Sequence, residues 1–517
     1  MTQYRTLHFS NGMDHKRTMT DPTPTFFGHP KGLKTLFFTE MWERFSYYGM
    51  RAILILFMTT PLAKGGLGLG VADAGAIYGI YTSMVYLACL PGGWIADRFV
   101  GQRRATLVGG CIIMCGHIVL ALPSVTYFYT GLALLVIGTG LLKPNISSMV
   151  GQLYSERDQR RDAGYSLYYM GINIGAFASP LVCGWLGQGV YFRELLSSAG
   201  INPVNAWHFS FGAAAVGMAL GLLHYVYGRS TLVKIGDPPQ GSSFSLRICV
   251  MISCVSLIAA WIYSISNIRL SPSQFGNIFG LILLGTTITF FAWLLRSSWN
   301  IAEDRRRVMK ILLLFLAATV FWSLFEQGGS TLTLFAERNT SRTIVGINFP
   351  ASWMQSLNPL FIIFLLGPAF SWLWFKLGSK GPNTTTKFVI GLLLISMGYG
   401  VMIGAAIIAD SGLLVSPLWL VVMYLLHTMG EMCLSPVGLS AMSKLAPQKI
   451  ASLTMGIWFL ASSIGSYAGG RVAGLYEAMP LAHIFMALTI LGLVSTIILS
   501  FSSKFIDTDT ELSQQQQ

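Results

Sequence analysis

Between Leu33 and Thr60 the chain is apolar enough to cross a bilayer, yet the stretch carries Glu40, Glu43, Arg44 and Arg51, with Tyr47 and Tyr48 among them. Wound as a helix at 100° per residue, these six fall within an arc of about 140° along about 16 Å of axis. An ionised group facing lipid at mid-bilayer costs about 3 kcal/mol or more, so the stripe must look onto protein or a water-filled cavity. Mutual neutralisation of Glu40 and Arg44 at i,i+4 spacing would need neither the tyrosines nor a second arginine. The chemistry on offer is the holding of a charged solute and the holding of protons.

Other charges reach the same depth. At 1.5 Å per residue from the assigned helix ends, Arg44 and Lys143 both lie about 15 to 17 Å inside the bilayer. Asn173 and Ser462 fall near that level, as do Glu326 and Glu431 in the second half of the chain. The first half offers Arg44, Arg51 and Lys143 against Glu40 and Glu43, whereas the second offers only Glu326 and Glu431. A zwitterion would lie across such a cavity, its carboxylate toward Arg44, Arg51 and Lys143 and its ammonium toward Glu431 and Glu326. That favours an amino acid or short peptide over a sugar. Glu326 and Glu431 have no Lys or Arg within their own spans, and a desolvated carboxylate disfavours its charged form, so each is a candidate to take up and release a proton. Tyr47, Tyr48, Tyr81, Tyr86, Trp322 and Trp458 are candidates to wall the cavity. His117 and His427 read as structural histidines.

The elements that position these residues are membrane helices. Of 517 residues 53% are hydrophobic and only 11% charged, where a soluble domain has about 25% charged. The net charge of +13 sits in short clusters between apolar spans, the positive-inside pattern, which excludes a nucleic-acid-binding domain. Arg98, Arg103 and Arg104, then Arg157, Arg160 and Arg161, then Arg305 to Arg307, then Lys376, Lys380 and Lys387 fall on one side, which places both termini in the cytoplasm. Spans of about 20 residues give about fourteen helices, arranged as a tail at 1–30, a six-helix bundle at 31–230, an inserted helix pair at 231–300, a second six-helix bundle at 301–504, and a tail at 505–517. The inserted pair, near 245 to 265 and 275 to 297, is given no chemistry. The seven cysteines lie in apolar stretches and read as core residues. Neither a metal-ligand cluster nor a nucleophile with a base at helical spacing is expected, so the chain does not read as an enzyme.

Two prolines, in Lys143-Pro144-Asn145 and Ser435-Pro436-Val437, occupy corresponding places in the two halves, a pointer to a repeat-built transporter with broken helices near its site. The segment Gly93 to Arg104, with Asp97-Arg98 and Arg103-Arg104, resembles the loop motif of the major facilitator superfamily. Glu40-Met41-Trp42-Glu43-Arg44-Phe45-Ser46-Tyr47-Tyr48-Gly49 resembles the ExxERFxYYG signature of the proton-dependent oligopeptide transporters, the POT family of that superfamily. Ser166 to Gly175, Leu142 to Ile146, Phe321 to Gln327 and Gly430 to Pro436 extend the likeness over nearly all of residues 30 to 500.

The resemblance implies an all-α major facilitator fold and a proton-coupled symporter importing di- and tripeptides by alternating access across the cell's inner membrane. It implies protons as coupling ion, lipid as surroundings, no cofactor, no metal, no nucleic acid and a monomer. By the same likeness Glu40, Glu43, Arg44 and Glu326 serve proton coupling. Arg44, Arg51 and Lys143 meet the peptide carboxyl end, and Asn173, Asn358 and Glu431 the amino end. Tyr47, Tyr48, Tyr86, Trp322, Trp458 and Ser462 line side-chain pockets. The alternatives are the same fold carrying nitrate, a drug or another small anion, and a peptide-sensing receptor that does not transport.

Overall fold

In the computed structural model, residues 26–155, 158–232, 235–237, 271–344, 346–378, 381–445 and 454–507 are described. The first crossing, α1, spans Lys31–Thr59 between Pro30 and Pro61, two residues that lack the N–H a continuing helix would use. The second crossing is built from α2 (Val71–Leu87) and α3 (Cys89–Ile95), closed by a wide turn at Ala96–Val100 and Gly101 with φ +83°. Then follow α4 (Gln102–Leu120), α5 (Val125–Gln152), α6 (Arg161–Gln188), the short α7 (Val190–Ser198) and α8 (Ala206–Gly228). After residue 271 come α9 (Pro272–Ser297), α10 (Ala302–Phe325) and α11 (Thr331–Arg338). A two-residue hairpin pairs Thr343–Ile344 with Ile347–Asn348. The remaining helices are α12 (Leu357–Phe361), α13 (Gly367–Leu377), α14 (Thr384–Asp410), α15 (Leu418–Leu445), α16 (Thr454–Ala473) and α17 (Leu481–Asp507).

Eleven of the described helical stretches are long and apolar enough to cross a membrane, and α1, carrying four charges at mid-span, and α16 stand beside them. The molecule is a multi-pass, all-α membrane protein. The span expected near 245 to 265 lies outside the described residues. Large apolar side chains are exposed along α9, among them Leu281, Ile282, Leu284 and Ile288, as a lipid-facing helix requires.

Helix α1 packs against α6 and α8, and α4 against α5 and α8; later in the chain α14 packs against α15 and α17, and α10 against α16. The two groups meet where α2 lies on α16, at backbone distance. A Cβ on Gly79 would stand 2.8 Å from the Tyr467 carbonyl oxygen, and one on Gly470 would stand 2.3 Å from Gly79 Cα. Only glycine permits this approach. Nearer mid-depth, Ser83 and Ser463 share a 2.7 Å hydrogen bond across the same seam.

Two sequence expectations are corrected. Pro144 lies inside an unbroken α5, and α15 likewise runs through position 436, so neither proline breaks its helix. The interruptions occur instead at Glu326–Gly329, a tight turn between α10 and α11, and at Ile362–Leu366, a π turn between α12 and α13. The first sets Glu326 at a helix end. Lastly, Cys111 and Cys115 are exposed, on the outward face of α4, while Cys89, Cys183 and Cys433 are buried as expected. Cys249 and Cys254 lie outside the described residues.

Candidate functional site: a charged cavity between two helix groups

The stripe on α1 does face a cavity. Glu40, Arg44, Tyr48 and Arg51 line it, at about 0°, 40°, 80° and 20° around the helix, whereas Glu43 and Tyr47, at about −60° and −20°, turn into the packing behind. Both are buried, and so is Tyr81, which also stays out of the lining. Glu43 acts from behind the wall: Arg44 Nε lies 2.5 Å from Glu43 Oε2 and 3.0 Å from Glu40 Oε1. These are close charge contacts rather than aligned hydrogen bonds, since Arg44 Nη2 and both Glu43 oxygens lack a well-aligned partner. Arg44 is 4% exposed, so its charge is balanced by protein rather than by water.

Arg51 reaches across the seam. Its Nη2 donates to Glu326 Oε2 at 2.6 Å, and its Nε donates to Tyr78 Oη at 2.7 Å. The bond joins α1 to the turn at Glu326, two elements 275 residues apart in sequence. Removing one partner of such a buried pair typically costs about 3–5 kcal/mol, because the other is left charged and unpaired.

Lys143 enters from α5, its Nζ 4.1 Å from the ring centroid of Tyr86 on α2. Asn173 projects from α6 and donates to the Tyr169 carbonyl at 2.9 Å. On the opposite wall, Asn358 of α12 donates to Glu431 Oε2 at 2.8 Å and to Thr428 Oγ1 at 3.1 Å. Trp322 of α10 and Trp458 of α16 meet edge to face at 6.2 Å, and Ser462 lies one turn beyond Trp458. The cavity measures about 300 Å³, the size of a small-molecule site.

The charges therefore divide into two classes. Arg44 is held by Glu40 and Glu43, and Arg51 by Glu326. Among the described residues, Lys143 has no carboxylate in ion-pair range, and Glu431 has an amide partner but no cation. The sequence grouped Arg44 and Arg51 with Lys143, and Glu326 with Glu431. In the structure Arg44 is engaged by Glu40 and Glu43 on its own helix, and Arg51 by Glu326, which the fold brings under it.

Residues that sequence reasoning passed over complete the walls: Tyr169, Ile172, Ala176 and Pro180 of α6, Phe325, Gln355, Tyr424 and Phe459. The first group was open to detection, since Tyr169, Ile172, Ala176 and Pro180 share Asn173's helical face at three- and four-residue spacing. Tyr424, His427 and Glu431 form a similar stripe on α15. His427 lines the cavity yet is 2% exposed, its ring tilted against that of Tyr399 with centroids 4.8 Å apart. Nothing in the sequence pairs Arg51 with Tyr78 or Glu326.

Two helix groups closing on a charged cavity at membrane depth, with helices interrupted beside it, define a secondary transporter of the major facilitator type. The chain belongs to the POT family, whose family model matches residues 103–491. It is 40% identical over 479 residues to the peptide transporter YePEPT of Yersinia enterocolitica, covering 89% of this chain and 91% of that one. It is 39% identical over 494 residues to a di-/tripeptide transporter of Lactococcus lactis, covering 93% and 96%. A POT peptide transporter solved with sulfate superimposes with a TM-score of 0.81 at 41% identity, covering 94% of this chain and 97% of that one. A POT family transporter solved with 5-aminolevulinic acid gives 0.81 at 33% identity, covering 93% and 98%.

Proposed function

We propose that this protein is a proton-coupled symporter that imports di- and tripeptides by alternating access. The observation that carries the reading is the pair of cavity charges left without an ion-pair partner among the described residues: Lys143 on one wall of the cavity and Glu431 on the other. A peptide supplies what each lacks. Its carboxylate meets the Lys143 ammonium as a point charge and its ammonium meets Glu431, which Asn358 holds in place at 2.8 Å. Asn173, Tyr48, Tyr86 and the Trp322, Trp458 and Ser462 wall accept the backbone and side chains between. Relatives named as peptide and di-/tripeptide transporters support the assignment, and so does a family member solved with 5-aminolevulinic acid, again a carboxylate and an amine on one short chain.

Coupling falls to the paired carboxylates. A proton on Glu326 cancels its attraction for Arg51 and so loosens the tie between α1 and the Glu326 turn. A proton on Glu43 leaves Arg44 balanced by Glu40 alone and frees part of its charge for the substrate. Protonation thereby governs both the contact between the helix groups and the cation density near Lys143. The positive bias of the loops on one side supports an orientation with both termini in the cytoplasm.

The test is uptake of labelled dialanine into proteoliposomes with and without an inward proton gradient. Accumulation above equilibrium only with the gradient is expected. Equal uptake in both removes proton coupling, and no uptake in either removes the peptide assignment.

A further inference from the structure

The inserted helix α9 is more than a connector. It starts with a capping box, in which Ser271 Oγ accepts from Gln274 N and Gln274 answers to Ser271 N. A helix start leaves four backbone N–H groups without partners in the helix. Here one of them, Ser273 N, donates at 3.0 Å to Asp73 Oδ1, which belongs to the first turn of α2. The carboxylate thus caps α9 from another helix, where the helix dipole favours a negative charge.

On its other side α9 is tied to α16. Tyr467 Oη donates to the Gly276 carbonyl at 2.8 Å, Arg471 Nη2 donates to Asn277 Oδ1 at 2.8 Å, and Phe279 packs on Tyr467 at 5.5 Å. Two glycines fit the helix to this place: a Cβ on Gly280 would lie 2.3 Å from Tyr467 Oη, and one on Gly276 would lie 3.2 Å from both Ala76 Cβ and Arg471 Nη1. Further along, Phe291 packs on Phe315 of α10 at 4.7 Å, and only residues 298–301 separate α9 from α10.

Helix α9 therefore lies over the seam at which α2 meets α16: its body packs mainly on α2, to which Asp73 adds a hydrogen bond, while Tyr467 and Arg471 tie it to α16 and Phe291 and the short link tie it to α10. Alternating access requires that seam to part, so ties to both walls cannot all persist. We propose that α9 is a latch: held to α10 by the short link and to α16 by side-chain hydrogen bonds, it travels with them, and its packed face together with the Asp73 hook holds α2, keeping closed the end of the transporter where α2 begins. This rests on the alternating-access reading but not on the identity of the substrate.

The latch is tested in the full-length protein, reconstituted without peptide, with Leu62 and Leu413 each replaced by p-acetylphenylalanine and spin-labelled. Both sites are exposed at that end, one on each side of the seam, and pulsed electron resonance gives the distribution of distances between them. Asp73→Ala should raise the open-to-closed ratio about 10-fold, as loss of a hydrogen bond to a charged group implies. Asp73→Asn, which keeps an acceptor oxygen, should recover most of the closed population. Tyr467→Phe removes a bond within the moving unit and should leave the ratio unchanged. An unchanged ratio in Asp73→Ala, or an equal shift in Tyr467→Phe, overturns the latch. If Asp73→Ala fails to fold, Asp73→Cys paired with Ser273→Cys decides: the disulfide should abolish the open population until reduced, and opening of the cross-linked protein overturns the proposal. A protein whose end opens as described yet carries no peptide would sink the peptide assignment and leave the latch standing.

Discussion

Replacing Lys143 by alanine isolates one half of the recognition scheme. Lys143 differs from Arg44 and Arg51 in having no carboxylate partner among the described residues, so its removal orphans no buried charge and the roughly 3–5 kcal/mol cost of breaking a buried pair does not arise. What the protein itself loses is the contact of Nζ over Tyr86 at 4.1 Å, worth about 0.5–2 kcal/mol. What the complex loses is a hydrogen bond between two charged groups, about 1.5–3 kcal/mol, or roughly a 10- to 150-fold weakening. The assay is competition for labelled dialanine uptake by dialanine and by its carboxy-amide. In the unmodified protein the amide should compete at least 10-fold more weakly. In Lys143→Ala the free acid should fall to the level of the amide while the amide changes little. If both competitors weakened by the same factor, Lys143 would be acting through the fold or through Tyr86, and the assignment of the peptide carboxylate to it would be refuted.

Glu431→Gln should produce the mirror image, weakening dialanine toward the level of its N-acetyl derivative in the same competition assay, since Asn358 keeps a hydrogen-bond partner while the charge is gone. Glu43→Gln and Glu326→Gln should abolish uptake driven by an imposed proton gradient yet retain counterflow exchange; loss of both would mark a binding or folding defect. Of the two, Glu326→Gln should also lower the melting temperature of the detergent-solubilised protein, because Arg51 loses its one carboxylate contact at 2.6 Å whereas Arg44 keeps Glu40 at 3.0 Å. Gly92→Ala should destabilise by several degrees in the same melt, since the new methyl would fall 2.0 Å from the Gly140 carbonyl oxygen between α3 and α5.

The architecture was legible because the bilayer forces it: runs of apolar residues must be helices, and ionisable residues within them must face inward. Glu40, Arg44, Tyr48 and Arg51 do face the cavity, and reckoning depth along each helix placed Lys143, Asn173, Glu326, Glu431 and Ser462 at the level where they line it too. Orientation around the axis was less secure at the edges of the stripe, where Glu43 and Tyr47 turned into the packing. Pairing was not legible, because a carboxylate chooses its cation by tertiary geometry and not by helical spacing. Glu326 was read as free to meet a substrate ammonium, yet a break in its helix sets it under Arg51. The prolines misled for a related reason. Pro144 sits in a continuous helix, while the actual interruption falls at Glu326–Gly329, where the lack of a side chain at Gly329 leaves room for Tyr78. Helix α9 offered no charged stripe, and its ties run through a backbone amide, a backbone carbonyl and a carboxylate on another helix.

The most direct measurement is a structure of the complex with dialanine. The peptide carboxylate should lie within hydrogen-bonding distance of Lys143 Nζ and the ammonium within hydrogen-bonding distance of Glu431, with the Arg44 and Arg51 ion pairs to Glu40, Glu43 and Glu326 accounted for separately. A peptide bound in the reverse sense, or one whose termini touch neither Lys143 nor Glu431, would contradict the assignment of the two unneutralised charges to the two ends of the substrate.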